Sequence, residues 1–139
     1  DSLGEFLAIV VSLEHLAVTN NNPQAKVLAN CLDSAIEKLL KNGKSPKRKT
    51  GELDNRGSHF YLALYWAEEL AMQYDDEDLQ SAFEIIAKKL KDKENDIISE
   101  LNTSDIGLTN INGYYFPDSE KINKYMRPSS SFNAIIDSI

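Results

Sequence analysis

The chain has 139 residues, of which 42% are apolar and 27% are charged, and its 22 acidic residues outnumber its 15 basic ones to give a net charge of −7 at pH 7. This length and mixture fit one domain of ordinary size with a buried core, and the acidic balance argues against a general binder of nucleic acids or anionic membranes. A single cysteine, Cys31, excludes an internal disulfide and a zinc site built on several thiolates, and the longest apolar run, 60–67, is far shorter than the ~20 residues of a membrane span.

The start of the chain predicts two antiparallel helices. Apolar residues recur at spacings of three and four over 3–17 and again over 23–42. Between them, Asn22 can cap the second helix, and Pro23 suits its first turn because the N–H that proline lacks is not needed there. The short connection makes an antiparallel pair. Because the chain begins with Asp1 rather than Met, we expect it to be a piece of a longer polypeptide.

Residues 44–58, called here the cationic segment, combine Gly, Pro and Ser with many charges and are predicted to form a loop. The segment holds five cations and two anions, so it carries +3 while the rest of the chain carries −10. Arg48 offers a planar guanidinium that can bind a phosphate through two hydrogen bonds, which Lys cannot do. The segment either binds a small anion or forms a surface loop whose cations pair with neighbouring acids, and composition favours neither.

The remainder of the chain is predicted to be mainly helical. Residues 60–67 are apolar all round, so a helix over 58–74 should be central and enclosed. A further helix is predicted over 76–101, with its highly charged part facing solvent. Beyond it we expect a loop over 102–118, a short helix over 119–126 and a final helical turn capped within 129–131.

The sequence offers little apparatus for catalysis. It contains no P-loop, no glycine-rich dinucleotide motif after a strand and no nucleophile elbow. His59 could contact a cofactor beside the cationic segment, although packing or local capping is favoured, and His15 is interpreted as structural. Cys31 lies on the apolar stripe of the second helix and is interpreted as a buried structural thiol.

The chain also contains several distinctive motifs: Asp1-Ser2-Leu3-Gly4-Glu5-Phe6, Asn21-Asn22-Pro23, Lys44-Ser45-Pro46 with Arg48-Lys49, the run over 54–67, Gly113-Tyr114-Tyr115 and Met126-Arg127-Pro128-Ser129. In order and spacing, from the first residue nearly to the last, these motifs resemble the monomeric-type NADP-dependent isocitrate dehydrogenases.

The resemblance implies that residues 1–139 are the C-terminal helical part of the large domain of a longer enzyme with the α/β isocitrate/isopropylmalate dehydrogenase-like fold. That enzyme would be a cytoplasmic monomer that oxidises isocitrate to 2-oxoglutarate and carbon dioxide, reduces NADP and uses Mg or Mn. The resemblance places the catalytic and metal-binding residues outside this chain, so we expect the chain alone to be inactive and to bind no metal, nucleic acid or membrane.

Two positions of this chain match NADP-contacting positions of the family, Asp1 and Arg48. NADP differs from NAD by its 2′-phosphate, and an arginine is a suitable group to recognise it. We therefore expect Arg48 to contact that phosphate and Asp1 to accept hydrogen bonds from a hydroxyl or amine of the cofactor. The alternatives are a non-catalytic helical interaction module and, disfavoured by the −10 elsewhere, a nucleic-acid module that uses residues 44–56.

Overall fold

The computed structural model describes residues 2–44, 55–103 and 129–139, and within these ranges every regular element is an α-helix. This confirms the predicted mainly α class. The helices are α1 (Ser2–Thr19), α2 (Pro23–Lys41), α3 (Asn55–Met72), α4 (Glu77–Asp92), α5 (Glu94–Thr103) and α6 (Ser130–Asp137). None of these helices is both long and apolar enough to cross a bilayer. The predicted short helix over 119–126 lies outside the described residues, as does most of the predicted loop over 102–118.

The chain divides into two compact units, Asp1–Lys89 and Leu90–Ile139. In the first unit α1 packs on α2 and α2 packs on α3, whereas in the second unit α5 packs on α6. The assignment of residues 1–139 to one domain of a longer enzyme stays a prediction.

Helix α2 begins as its local sequence predicts. Asn22 precedes the helix with an extended backbone, and its side-chain oxygen accepts a hydrogen bond from the N–H of Ala25 at 3.2 Å. Pro23 occupies the first helical position. The connection from α1 is tight because Asn21 takes a positive φ of 47°, which asparagine tolerates better than most residues. The first two predicted helices are therefore confirmed to within two residues at each end.

Helix α3 is enclosed, as its apolar run predicts. Phe60 and Leu64 have at most 1% of their surface exposed, and Tyr61 and Tyr65 are also buried. Trp66 is half-buried rather than enclosed, and its indole N–H donates to the carbonyl oxygen of Leu28 on α2 at 3.1 Å. The core of this unit includes Val27, Cys31 and Leu70, and half-buried side chains packed against them are Leu28, Trp66, Leu79 and Phe83.

The predicted single helix over 76–101 is wrong, because two helices, α4 and α5, are separated at Lys93. Glu94 and Asp96 occupy the first turn of α5, where negative charge is favoured by the free backbone N–H groups of a helix start. Lys93 pairs with Asp96 at 3.9 Å across the break. Helix α5 then runs to Thr103, two residues into the predicted loop.

Candidate anion-binding loop

The cationic segment connects α2 to α3, and the structure describes its two ends but not residues 45–54. Arg48 therefore lies outside the described residues, and so does Asp1. The loop predicted over 44–58 extends too far, because α3 begins at Asn55 and includes the last four residues of the segment. The structure therefore describes the candidate site only at its two ends, Lys44 and residues 55–58.

The upstream end leaves α2 through a glycine turn that satisfies the last helical carbonyls. Gly43 has a φ of 68°, a left-handed conformation that glycine adopts without strain. The N–H of Gly43 donates to Leu40 at 3.2 Å, and the N–H of Lys44 donates to Leu39 at 2.9 Å. This pattern stops the helix sharply.

The downstream end is tied directly to the upstream end. Ser58, which is fully buried in the first turns of α3, donates its hydroxyl proton to the carbonyl oxygen of Lys44 at 2.8 Å. The Lys44 ammonium lies 4.5 Å from the centre of the Tyr61 ring, close enough for attraction to the negative ring face. Both contacts close the base of the segment, so its ends are fixed relative to each other.

A polar layer lies between α2 and α3 near this base. Lys38 lies 3.4 Å from the Glu68 carboxylate and 4.9 Å from the centre of the Tyr65 ring. Asn42 donates from its side-chain amide to the Tyr65 hydroxyl at 3.2 Å. The charge of Lys38 is therefore already matched by an acid on the neighbouring helix.

One further cation of the segment belongs to the packed end of α3. Arg56 is only 6% exposed, so it is a buried residue rather than part of a solvent-facing loop. Arg56 was predicted to be a loop cation, because the loop was assigned from composition. Its position just before the apolar run is the sequence signal that could have revealed its burial.

The first turns of α1 lie against the start of α3. The rings of Phe6 and His59 meet edge to face with their centres 5.0 Å apart. This agrees with the packing interpretation of His59, although the residue itself stays exposed. His15 is also exposed, and its interpretation as a structural histidine stays a prediction. Phe6 lies in the first turns after Asp1, and His59 directly follows the cationic segment. Their contact therefore brings the residues after Asp1 close to the residues after the cationic segment.

Cys31 is not an activated nucleophile, and the described residues offer no metal site. Burial, with smaller contributions from Glu69 and Asp75, raises the pKa of Cys31 to about 11, so the thiol is protonated at neutral pH. Its interpretation as a buried structural thiol is confirmed. Within the described ranges, no group of three or more His, Cys, Asp or Glu side chains could hold a metal ion.

The second unit has one concentrated polar contact, between Glu100 on α5 and the start of α6. The Glu100 carboxylate accepts hydrogen bonds from the hydroxyl of Ser129, from that of Ser130 at 3.4 Å, and from the hydroxyl and N–H of Ser131 at 2.9 and 3.3 Å. These bonds, that of Ser129 foremost, lower the pKa of Glu100. Ser129 also accepts from the N–H of Phe132 at 3.1 Å, which confirms the predicted cap.

The described residues define a helical protein in which a basic segment connects the end of α2 to the start of α3. Residues 1–137 match the family described as monomeric isocitrate dehydrogenase, and the chain belongs to that family.

Relatives of known name agree with the family match. The chain is 52% identical over 139 residues to NADP isocitrate dehydrogenase 2 of Colwellia maris, covering 100% of this chain and 19% of the relative. It is 54% identical over 136 residues to the NADP isocitrate dehydrogenase of Azotobacter vinelandii, covering 98% of this chain and 18% of the relative. It is 55% identical over 139 residues to NADP isocitrate dehydrogenase 2 of Psychrobacter sp., again covering 100% and 19%. The chain thus spans about a fifth of the length of these relatives.

Proposed function

We propose that this chain is the NADP-contacting segment of an NADP-dependent isocitrate dehydrogenase, which oxidises isocitrate to 2-oxoglutarate and carbon dioxide and reduces NADP. The observation that carries the proposal is the family match over residues 1–137. The names of the relatives, all at about half identity over nearly the whole chain, supply the cofactor and the reaction.

The cationic segment is the part of the chain best suited to contact NADP. Its two ends are held together by the hydrogen bond from the Ser58 hydroxyl to the Lys44 carbonyl oxygen, so its base is fixed. The segment keeps a net charge of +2 when the buried Arg56 is left out, on a chain that is otherwise strongly acidic, and this charge favours an anion. A segment closed at its base loses less conformational freedom when it binds a ligand.

Within this proposal Arg48 and Asp1 contact different groups of the cofactor. Arg48 binds the 2′-phosphate through its planar guanidinium, which suits a phosphate better than an ammonium does. Asp1 does not face that phosphate, because two negative groups repel each other. It accepts hydrogen bonds from a hydroxyl or amine of the cofactor instead.

The chain contributes binding rather than proton transfer. From the resemblance to the family, we place the Mg or Mn site and the catalytic groups elsewhere in the full-length polypeptide, a cytoplasmic monomer. When bound there, the metal would polarise the substrate oxygen on which negative charge develops.

The proposal is tested by transplanting the chain into a relative. In the Azotobacter vinelandii enzyme, the 136 matched positions are replaced by the corresponding residues of this chain, and isocitrate-dependent NADPH formation is followed by absorbance. We expect the hybrid to keep activity with NADP. We expect a matched variant that lacks the 136 transplanted positions to have none. A hybrid that unfolds cooperatively, and is therefore folded, but forms no NADPH would contradict the proposal.

A further inference from the structure

Helix α1 exposes apolar side chains on both flanks of its buried face. On one flank, Leu7, Val11 and Val18 are 48%, 63% and 82% exposed. On the other flank, Ile9 and Leu16 are 43% and 37% exposed. The first three residues follow spacings of four and seven, so they form one stripe along the helix. Phe6 and Val10, between the flanks, are buried at 2% and 5% exposure.

The composition of α1 does not suit a helix that faces water. Glu5 and Glu14 are the only charged residues among its 18, and it has no Lys or Arg. Helix α4, with 16 residues, carries seven charged residues. A helix that is apolar well beyond its buried face is typical of an enclosed position, and a contiguous exposed apolar patch marks an interface.

We propose that the stripe formed by Leu7, Val11 and Val18 is an internal interface, covered by the rest of the full-length polypeptide. This inference rests on the proposed function, because it takes this chain as part of a longer enzyme. The relatives are about five times as long as the chain, so most of such a polypeptide is available to cover the stripe. The family is described as monomeric, which favours coverage within one polypeptide over coverage by a second copy.

Glu14 adds a chemical requirement for the covering surface. It lies within the stripe, three residues after Val11 and four before Val18, on the same side of the helix. A carboxylate enclosed among apolar groups is costly unless it is paired or hydrogen-bonded. The covering surface should therefore be apolar and carry a Lys, an Arg or a backbone N–H opposite Glu14.

The test compares two cysteine variants within the full-length hybrid of the Azotobacter vinelandii enzyme. Val11→Cys places a thiol in the stripe, and Ala8→Cys places one at an exposed position on the side of α1 opposite its buried face. Thiol labelling is read by mass spectrometry of the α1 peptide, in folded and urea-unfolded protein. We expect folding to slow labelling at least about tenfold more at Val11→Cys than at Ala8→Cys, because the interface excludes the reagent.

Other results would overturn the inference. Labelling of Val11→Cys as fast as Ala8→Cys in the folded hybrid would show that the stripe stays exposed, and equal protection of both would show that coverage does not follow the apolar stripe. Protection that depends on protein concentration would assign the stripe to a second copy. Protection already present in the 139-residue chain would assign it to this chain's own residues.

The labelling result is independent of the enzymatic proposal. An active hybrid with an exposed stripe would refute only the interface. A folded, inactive hybrid with a protected stripe would refute only the proposed function.

Discussion

Replacing Ser58 with alanine tests whether the base of the cationic segment is closed by one hydrogen bond. The fully buried Ser58 hydroxyl donates to the carbonyl oxygen of Lys44 at 2.8 Å. The Ser58→Ala change leaves that oxygen without this donor, in a hydrogen bond that is part-buried. A buried polar group that loses its partner costs about 1–3 kcal/mol.

A matched control is available in Ser12. Ser12, like Ser58, lies in a helix and donates its hydroxyl proton to a backbone carbonyl, that of Ala8 at 2.9 Å, but this bond is exposed and local. Water replaces it in the Ser12→Ala variant at little cost. Both substitutions gain the same helix propensity, up to about 0.5 kcal/mol, so the gain cancels in the comparison. The expected difference between the two variants is therefore about 1–3 kcal/mol, with Ser58→Ala the less stable.

The assay is urea unfolding of the 139-residue chain followed by circular dichroism, with the free energy of unfolding of each variant compared at unchanged denaturant dependence. If Ser58→Ala and Ser12→Ala differ by less than about 0.5 kcal/mol, the hydrogen bond from Ser58 does not close the segment.

Three further outcomes are expected. Glu100→Gln should lower the free energy of unfolding by about 1 kcal/mol at pH 7, because the half-buried carboxylate loses its charge-assisted bonds to the start of α6. Since the folded state holds the Glu100 pKa below its usual 4.5, this contribution is present above pH 4.5 and lost as the pH falls through the folded pKa, so the stability gap between variant and parent should close on acidification. Cys31 should react with a thiol reagent at pH 8 about a hundredfold more slowly in the folded than in the unfolded chain, from its raised pKa alone, and a difference below tenfold would contradict its burial. The 139-residue chain alone should form no NADPH from isocitrate, because it lacks substrate orientation and metal polarisation, and measurable turnover by pure chain would refute this.

The parts of the fold that depend on nearby residues could be predicted from the sequence. The start of α2 follows from Asn22 and Pro23, and its end follows from Gly43, because caps and left-handed glycines act within one turn. The parts that depend on distant contacts could not. Helix α3 starts earlier than predicted, and the buried Ser58 near its start is bonded to Lys44, fourteen residues away in the chain.

The candidate site shows the same division. Composition alone located the positive charge in the cationic segment, because charge is additive and needs no structure. It could not show that Arg56 is buried, since burial depends on tertiary packing. Asp1 and Arg48 came from the resemblance to the family rather than from spacing or charge, and their contacts stay predictions.

The most direct test of the central claim, that this chain recognises the 2′-phosphate of NADP, is the ratio of catalytic efficiency with NADP to that with NAD. It is measured in the full-length hybrid for Arg48→Ala, with Lys26→Ala as a control that removes an exposed cation from the first turns of α2, at the opposite end of that helix from the cationic segment. Arg48→Lys should restore the ratio only in part, because an ammonium cannot reproduce the paired hydrogen bonds.

A charge-assisted hydrogen bond is worth about 1.5–3 kcal/mol, so Arg48→Ala should lower the NADP-to-NAD ratio about tenfold to a hundredfold. The loss should lie in the KM for NADP while kcat changes little, because the phosphate is remote from the hydride that moves. Lys26→Ala should leave the ratio unchanged. Equal weakening of NADP and NAD by Arg48→Ala would show that Arg48 does not contact the 2′-phosphate and would contradict the central claim.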